Sequence, residues 1–383
     1  MCSGQRNPPM TAGSRPPDPS SIDTGMRPFV LIWEVTQACE LACDHCRANA
    51  HPGRHPDELT TAEGKRLLDA AAEFGDGQLV VLSGGDPMKR PDLVELVRYG
   101  TERGLRVTLT PSGTEALTPE SIAELADAGL RRLALSVDAP GEDHDRFRGE
   151  AGSFERTMEA AEAATAAGIP IQINTTVCES TVGTLPAVRD RVADLGAVLW
   201  SVFFLVPVGR GQLLEGLDPE RAEAVLEWLH EVSATAPFGV KTTEAPSYRR
   251  VALQRNGSAT DAPDADAIGR RGGILAGDGF AFVSHRGELY PSGFLPKSAG
   301  NVVDGDLVSL YRESELFEKL RDRDRLRGKC GACEFRHVCG GSRSRAFATT
   351  GDPLESDPLC GYVPEGYDGK LPSAGTRRSG FDP

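Results

Sequence analysis

Between residues 29 and about 215, six short, β-rich apolar runs (30–35, 79–82, 107–109, 133–137, 169–177 and 198–206) alternate with longer segments. Those segments (60–73, 91–103, 119–128, 154–167 and 185–195) carry the apolar spacing of amphipathic helices. Runs that are apolar along their whole length are buried on both faces, and such strands alternating with helices make parallel βα units with right-handed crossovers. Six units can build either a doubly wound sheet or a barrel, and periodicity does not separate the two. In both folds functional residues collect at the C-terminal ends of the strands. The unusual residues of this chain fall at that address: Cys39, Cys43 and Cys46 after the first strand, and Ser83-Gly84-Gly85-Asp86-Pro87 after the second. Thr110-Pro111-Ser112-Gly113-Thr114 follows the third, and Ser136-Val137-Asp138 closes the fourth.

Past Pro219 one more helix runs to about Ala236, and a polar stretch rich in Gly, Asp and Ala around 256–271 reads as a linker. Residues 280–283 and 288–290, joined by Ser284-His285-Arg286-Gly287, read as a short hairpin. The expected division is a tail over 1–26, a core over 27–240, a linker over 241–272, a C-terminal module over 273–365 and a tail over 366–383. The C-terminal module is expected to hold little secondary structure and to be organised by metal.

The 383 residues include 42 basic and 56 acidic side chains, a net charge of −14. A field of that sign repels phosphate backbones, which argues against nucleic acid as a partner. No apolar run approaches the roughly 18 residues a spanning helix needs, and the N-terminus lacks the apolar stretch of a signal peptide, so no membrane partner is expected and the chain reads as cytoplasmic. Seven of the nine cysteines form two tight groups, Cys39, Cys43, Cys46 and Cys330, Cys333, Cys339, Cys360. In a reducing compartment such grouping argues for metal binding or catalysis rather than disulfides. Cys2 and Cys178 read as a tail thiol and a small buried hydrophobe.

A cubane cluster has four irons and usually takes four thiolates, yet the first group offers three within eight residues, Cys39-Glu40-Leu41-Ala42-Cys43-Asp44-His45-Cys46. One iron is then left open for an exogenous ligand, as a catalytic zinc keeps an open position. The competing reading, a structural zinc closed by His45, His51 or His55, leaves the other strand ends unexplained. The triad resembles the radical S-adenosylmethionine (SAM) superfamily, with His45 where that motif usually has an aromatic residue. The resemblance implies that the amino and carboxylate groups of SAM occupy the open iron and that electron transfer yields a 5'-deoxyadenosyl radical. It extends to Gly84-Gly85-Asp86-Pro87, similar to the family's motif for the SAM amino group, with Asp86 where Glu is commoner. Ser136 and Asp138 resemble the pair that contacts the SAM carboxylate and ribose, and Asn174 and Val206-Pro207 resemble further SAM contacts. The fold so implied is an α/β partial (β/α)6 TIM-like barrel with a small C-terminal iron–sulfur domain.

The second group supplies four thiolates, enough to close a site. On spacing alone a four-cysteine zinc competes with a second cluster. With Cys339-Gly340-Gly341-Ser342-Arg343 and Gly351-Asp352-Pro353-Leu354, the segment resembles the SPASM/Twitch module of radical SAM maturases, which implies one auxiliary 4Fe–4S cluster. A full module draws a further cysteine from the preceding hairpin, where this chain has Ser292. The stretches 203–211, 290–301 and 339–360 resemble radical SAM enzymes that modify tetrapyrrole side chains, in the alternative haem pathway and in haem d1 synthesis. That resemblance implies hydrogen abstraction from a propionate, with loss of carbon dioxide or a larger fragment, and an electron donor such as ferredoxin or flavodoxin. Arg210, Arg343 and Arg345 are candidates to meet substrate carboxylates, weighed against ordinary structural arginines. No catalytic acid or base is assigned. The alternative is a ribosomal-peptide maturase of the same superfamily, which often carries a leader-binding domain; only about 26 tail residues precede the core here, against the roughly 50 of a minimal domain.

Overall fold

The computed structural model describes residues 23–256 and 274–371. Cys2, most of the two expected tails and the linker stretch 257–271 lie outside them. Seven parallel strands follow one another in chain order: β1 (Val30–Thr36), β2 (Leu79–Gly84), β3 (Arg106–Leu109), β4 (Leu133–Ser136), β5 (Ile171–Val177), β6 (Leu199–Phe204) and β7 (Gly239–Thr243). A doubly wound sheet reverses its strand order at a switch point, whereas this order never reverses, so the winding is that of a barrel. Among the described residues the sheet stays open between β7 and β10 (Leu289–Tyr290), which makes it a partial barrel.

Each strand has one helix-facing and one concave face. In β5, Ile171, Ile173, Thr175 and Val177 are buried while Gln172, Asn174 and Thr176 are half-buried on the other side. In β1, Leu31, Trp33 and Val35 pack outward, where Gly64 lets the helix Thr61–Ala72 approach: a Cβ there would stand 2.4 Å from the Trp33 ring. That helix starts at a capping box made by Thr60 and Glu63.

Five features depart from expectation. The boundary expected at 240 falls inside β7, and the helix Tyr248–Arg255 lies within the expected linker. A helix over Gly141–Arg148 follows β4, unforeseen because its one large apolar residue is Phe147. The expected hairpin forms from β9 (Gly279–Val283) and β10, yet β9 also pairs in parallel with β1, Val30 with Phe280 through Trp33 with Val283. β8 (Leu275–Ala276) pairs with β9. Ala281, Val283, Leu307, Tyr311 and Phe317 therefore share one apolar core with the barrel strands. Finally, the C-terminal region carries more helix than expected, at Leu307–Glu313, Glu315–Arg321, Gly328–Ala332 and Arg343–Thr350. Part of the expected N-terminal tail is docked: Thr24 donates to Asp278 (2.5 Å) and accepts at its carbonyl from the Tyr311 hydroxyl (2.5 Å). No helix among the described residues is long and apolar enough to cross a membrane.

Candidate active site

The loop after β1 is held at its base by β2. The Gly85 N–H donates to the Thr36 carbonyl (2.9 Å) and the Asp86 N–H to the Ala38 carbonyl (2.7 Å). The approach is so close that a Cβ on Gly84, whose φ is +151°, would lie 2.2 Å from the Thr36 oxygen. The far end of the loop is tied back by the Cys39 N–H to the His51 carbonyl (2.8 Å). Across the barrel, Arg210 clamps the middle: its Nε donates to the Cys43 carbonyl (2.8 Å), its Nη1 to the Ala50 carbonyl (3.1 Å) and its N–H to the Cys46 carbonyl (2.9 Å). Cys39, Cys43 and Cys46 gather with Leu41 and Ala50 in a small apolar cluster of their own.

The thiols sit among donors. Cys39 Sγ lies 3.6 Å from the Ser112 hydroxyl, Cys43 Sγ 3.8 Å from Arg148 Nη1, and the Ala50 N–H donates to Cys46 Sγ (3.4 Å). Burial pushes the Cys39 thiol up to about 11, above the ordinary range. His45 stacks flat on Phe147, centroids 4.7 Å apart, and burial, then the Arg148 cation, drives its imidazole down to about 3.

The neighbouring strand ends divide into open and consumed groups. Asp86 is fully buried; Thr114 donates to it (2.6 Å), as do the N–H groups of Met88 (3.1 Å) and Ser112 (3.3 Å). Its carboxylate therefore orders the loop after β3. Asp138 is likewise fully buried, paired to Arg148 (2.6 Å) and accepting from the Thr176 N–H (2.7 Å). Ser136 and Asn174, half-buried and registered side by side on the concave face, remain open, although Asn174 accepts one bond from Gln172 (2.7 Å). Val206 is buried at the rim.

The second cysteine group assembles around Arg343, almost wholly enclosed, which donates to Cys330 Sγ (3.5 Å) and to the carbonyls of Gly341, Pro353 and Glu355. The Asp357 N–H donates to Cys330 Sγ (3.3 Å) and the Gly341 N–H to Cys339 Sγ (3.4 Å). Burial, then the neighbouring Cys360, pushes the Cys339 thiol up to about 12, and burial pushes Cys360 up to about 11 against the pull of Lys329. Cys333 is raised as well, by burial and, among lesser causes, by Cys330. Ser292, where a fifth cysteine would stand, donates to Glu244 (3.2 Å), which also accepts from Ser342 (2.5 Å) and Ser344 (2.9 Å).

The profile of the Radical SAM superfamily matches residues 33–183, the stretch that holds the cysteine triad and the ends of β1 to β5. The chain is 42% identical over 341 residues to the AdoMet-dependent heme synthase of Methanosarcina barkeri, covering 88% of this chain and 97% of that protein. The chain belongs to the radical SAM superfamily. It is 40% identical to the AdoMet-dependent heme synthase of Oleidesulfovibrio alaskensis over 90% of each protein. The fold is also that of Streptococcus suis SuiB bound to S-adenosylmethionine, with a TM-score of 0.69 at 17% identity, covering 88% of this chain and 78% of that one.

As a radical SAM enzyme the protein uses a 4Fe–4S cluster and SAM. The three candidate arginines make structural bonds, although the buried Nη2 of Arg210 has no partner among the described residues. Arg210 holds the cysteine loop, Arg343 the second cysteine group, and Arg345 is buried against Asp357 (3.2 Å) and the carbonyls of Leu205 and Phe204. Sequence reasoning missed Arg148, which links Asp138 to Cys43 from a helix with no apolar period. The charges of that helix, Glu142 and Asp143 in its first turn and Arg146 and Arg148 in its last, are the signal that marks it.

Gly84 offers a direct test of the way radical SAM loop and sheet interlock. Gly84→Ala combines a backbone conformation reserved for glycine, costing about 1–3 kcal/mol, with a clash against the Thr36 carbonyl. The expected result, read by iron analysis and far-ultraviolet circular dichroism of purified protein, is a lowered iron content with the secondary structure retained.

Proposed function

We propose that this radical SAM enzyme removes carboxyl groups from the propionate side chains of a tetrapyrrole. Cys39, Cys43 and Cys46 hold the SAM-binding cluster, and Cys330, Cys333, Cys339 and Cys360 hold one auxiliary cluster. The observation that carries the substrate reading is the match to AdoMet-dependent heme synthases along 97% of one relative's length, at an identity too high for fold alone.

The residues fit the clusters by their chemistry. Each group combines buried and half-buried thiols, and some of their sulfurs accept N–H or cationic donors, Arg148 at Cys43 and Arg343 with the Asp357 N–H at Cys330. Such donors offset thiolate charge and tune cluster potential. Among the described residues no three His, Cys, Asp or Glu side chains converge on one point as a single ion requires. A cubane takes each thiolate at a different iron, so it does not ask them to converge. When bound, the N-terminal cluster supplies the electron that cleaves SAM to the 5'-deoxyadenosyl radical. The chain's own contribution is placement: Arg210 and the Gly84-Gly85 turn fix the cysteine loop, and Asp86 holds Ser112 and Thr114 of the loop after β3, with Pro87 opening the short helical turn that follows it. Ser136, Asn174 and Val206 line the face on which SAM lies, while Asp138 acts from behind through Arg148.

The electron donor is read as a ferredoxin or flavodoxin, and the grouped thiols support a reading of the protein as cytoplasmic. With Ser292 bonded to Glu244, a single auxiliary cluster is the expected content. The boundary of the C-terminal module is read near residue 273, with β7 assigned to the barrel. The test is anaerobic incubation of the reconstituted enzyme with SAM, dithionite and, separately, iron-coproporphyrin or sirohaem derivatives. A product lighter by carbon dioxide in mass spectrometry is expected; no mass change with any of them favours the peptide alternative.

A further inference from the structure

The concave face of the barrel carries three cations that no ion pair among the described residues neutralises. Arg106 and Thr108 alternate with the wholly buried Val107 and Leu109 on β3, so Arg106 lies on the concave side. Arg132 precedes β4 in the same alternation, opposite in sense to Leu133 and Leu135. Its Nη1 donates to Gln172 (3.4 Å), which in turn donates to Asn174. Lys241 stands on β7 in register with Ser201, and its neighbour Val240 packs into the core on the opposite side. The charged groups that bear on these three are cations: Arg131 on Arg106, Arg106 on Arg132, and Arg132 with Arg249 on Lys241. Among the described ion pairs none includes Arg106, Arg132 or Lys241, in a chain with 56 acidic residues against 42 basic ones. Partial burial and neighbouring cations disfavour the charged forms of Arg106 and Arg132, and Lys241, exposed on the open face, stands within reach of the repulsion of Arg132 and Arg249. Local conflicts of this kind, uncompensated among the described residues, collect at sites where a ligand completes them.

Their position matches one end of a rigid, multiply charged substrate. Ser136, Asn174, Ser201 and Lys241 form one registered row across β4 to β7. The row starts at the residue facing SAM and ends at one of the cations. Arg132 is four residues before Ser136, about 13 Å along the strand. A flat macrocycle standing against this face can thus present one edge beside Ser136 and Asn174 while its opposite edge reaches the arginines.

We propose that Arg106, Arg132 and Lys241 form the anion site that grips the carboxylates the reaction leaves in place, orienting the macrocycle with its reacting propionate toward SAM. The inference rests on the tetrapyrrole reading above. A guanidinium meets a carboxylate through two parallel hydrogen bonds, and two arginines side by side suit two adjacent propionates. The site sets affinity and orientation and takes no part in bond breaking.

The test uses reconstituted full-length enzyme, the double variant Arg106→Gln/Arg132→Gln and the single variant Lys241→Gln, with iron-coproporphyrin as the probe. Absorbance titration is expected to show Kd raised about tenfold or more for each arginine removed. The loss in turnover is expected on KM rather than kcat, and Arg132→Lys restores part of it. Iron content and thermal midpoint report on folding and stay at wild-type values. A wild type that decarboxylates the porphyrin, with variants that bind it equally well, overturns this inference alone. A wild type that neither binds nor converts any tetrapyrrole overturns the substrate reading and this inference with it.

Discussion

Replacing Cys39, Cys43 and Cys46 together by alanine is expected to abolish 5'-deoxyadenosine formation and to lower the iron content from about eight to about four per chain, by the arithmetic of two cubanes. On the proposed assignment the loss is total, because these three thiolates would hold the cluster that binds SAM, and the irons of the auxiliary cluster would be closed by four cysteines. The loop itself should survive. Its backbone is fixed by bonds that involve no sulfur: Arg210 to the carbonyls of Cys43 and Ala50, the Cys39 N–H to His51, and the Asp86 N–H to Ala38. Far-ultraviolet circular dichroism should therefore match the wild type, and the remaining iron should be held by Cys330, Cys333, Cys339 and Cys360. Addition of SAM should perturb the electron paramagnetic resonance spectrum of the reduced wild type and leave that of the variant unchanged. Iron content that does not fall, or zinc in its place, refutes the ligand assignment.

The address of this site was legible in the sequence, and its wiring was not. Buried strands announce themselves by unbroken apolar runs, so β1 to β6 and the residues at their C-terminal ends could be placed before any coordinates. Which way a strand-end carboxylate turns depends on partners far along the chain. Asp86 meets Thr114, 28 residues on, and Asp138 meets Arg148 on a helix without apolar period. Both carboxylates read from sequence as SAM contacts and prove to be enclosed and fully partnered. The arginines, weighed from sequence between substrate carboxylates and ordinary structural bonds, could not be told apart there for the same reason: Arg210, Arg343 and Arg345 donate largely to carbonyls of distant segments, and Arg345 to Asp357 as well. Irregular loops lack a ladder to satisfy their backbone, and a buried guanidinium with five donors is one of the few groups that can do so. β7 escaped notice because Val240 is its one residue packed into the core, the concave side being Lys241 and Thr243. The pairing of β9 with β1 joins segments some 250 residues apart and leaves no local trace.

Arg148→Met is expected to destabilise the protein by about 3 kcal/mol, measured by chemical denaturation at neutral pH, because it strands a fully enclosed Asp138 carboxylate with the Thr176 N–H as its chief remaining partner. The double variant Asp138→Asn/Arg148→Met removes both charges and should recover much of that loss, since a neutral pair of similar volume does not carry the desolvation penalty. The pH dependence separates this account from a packing defect. In the wild type, burial alone would raise the Asp138 carboxyl, but Arg148, then His45 and His144, outweigh it and hold the group below the usual carboxylate range. Its stabilising contribution is therefore fully present above the unfolded-state value of about 3.9 and is lost as pH falls toward the lower folded value. Without Arg148 the burial effect dominates, the folded carboxyl lies above its unfolded value, and the penalty grows as pH rises through that range. The gap between wild type and Arg148→Met should consequently narrow on acidification, whereas a packing defect would leave it constant. The same substitution takes a cation from beside Cys43 Sγ, so the reduction potential of the N-terminal cluster should fall, while that of the C-terminal cluster, with its own arginine at Cys330, should not move.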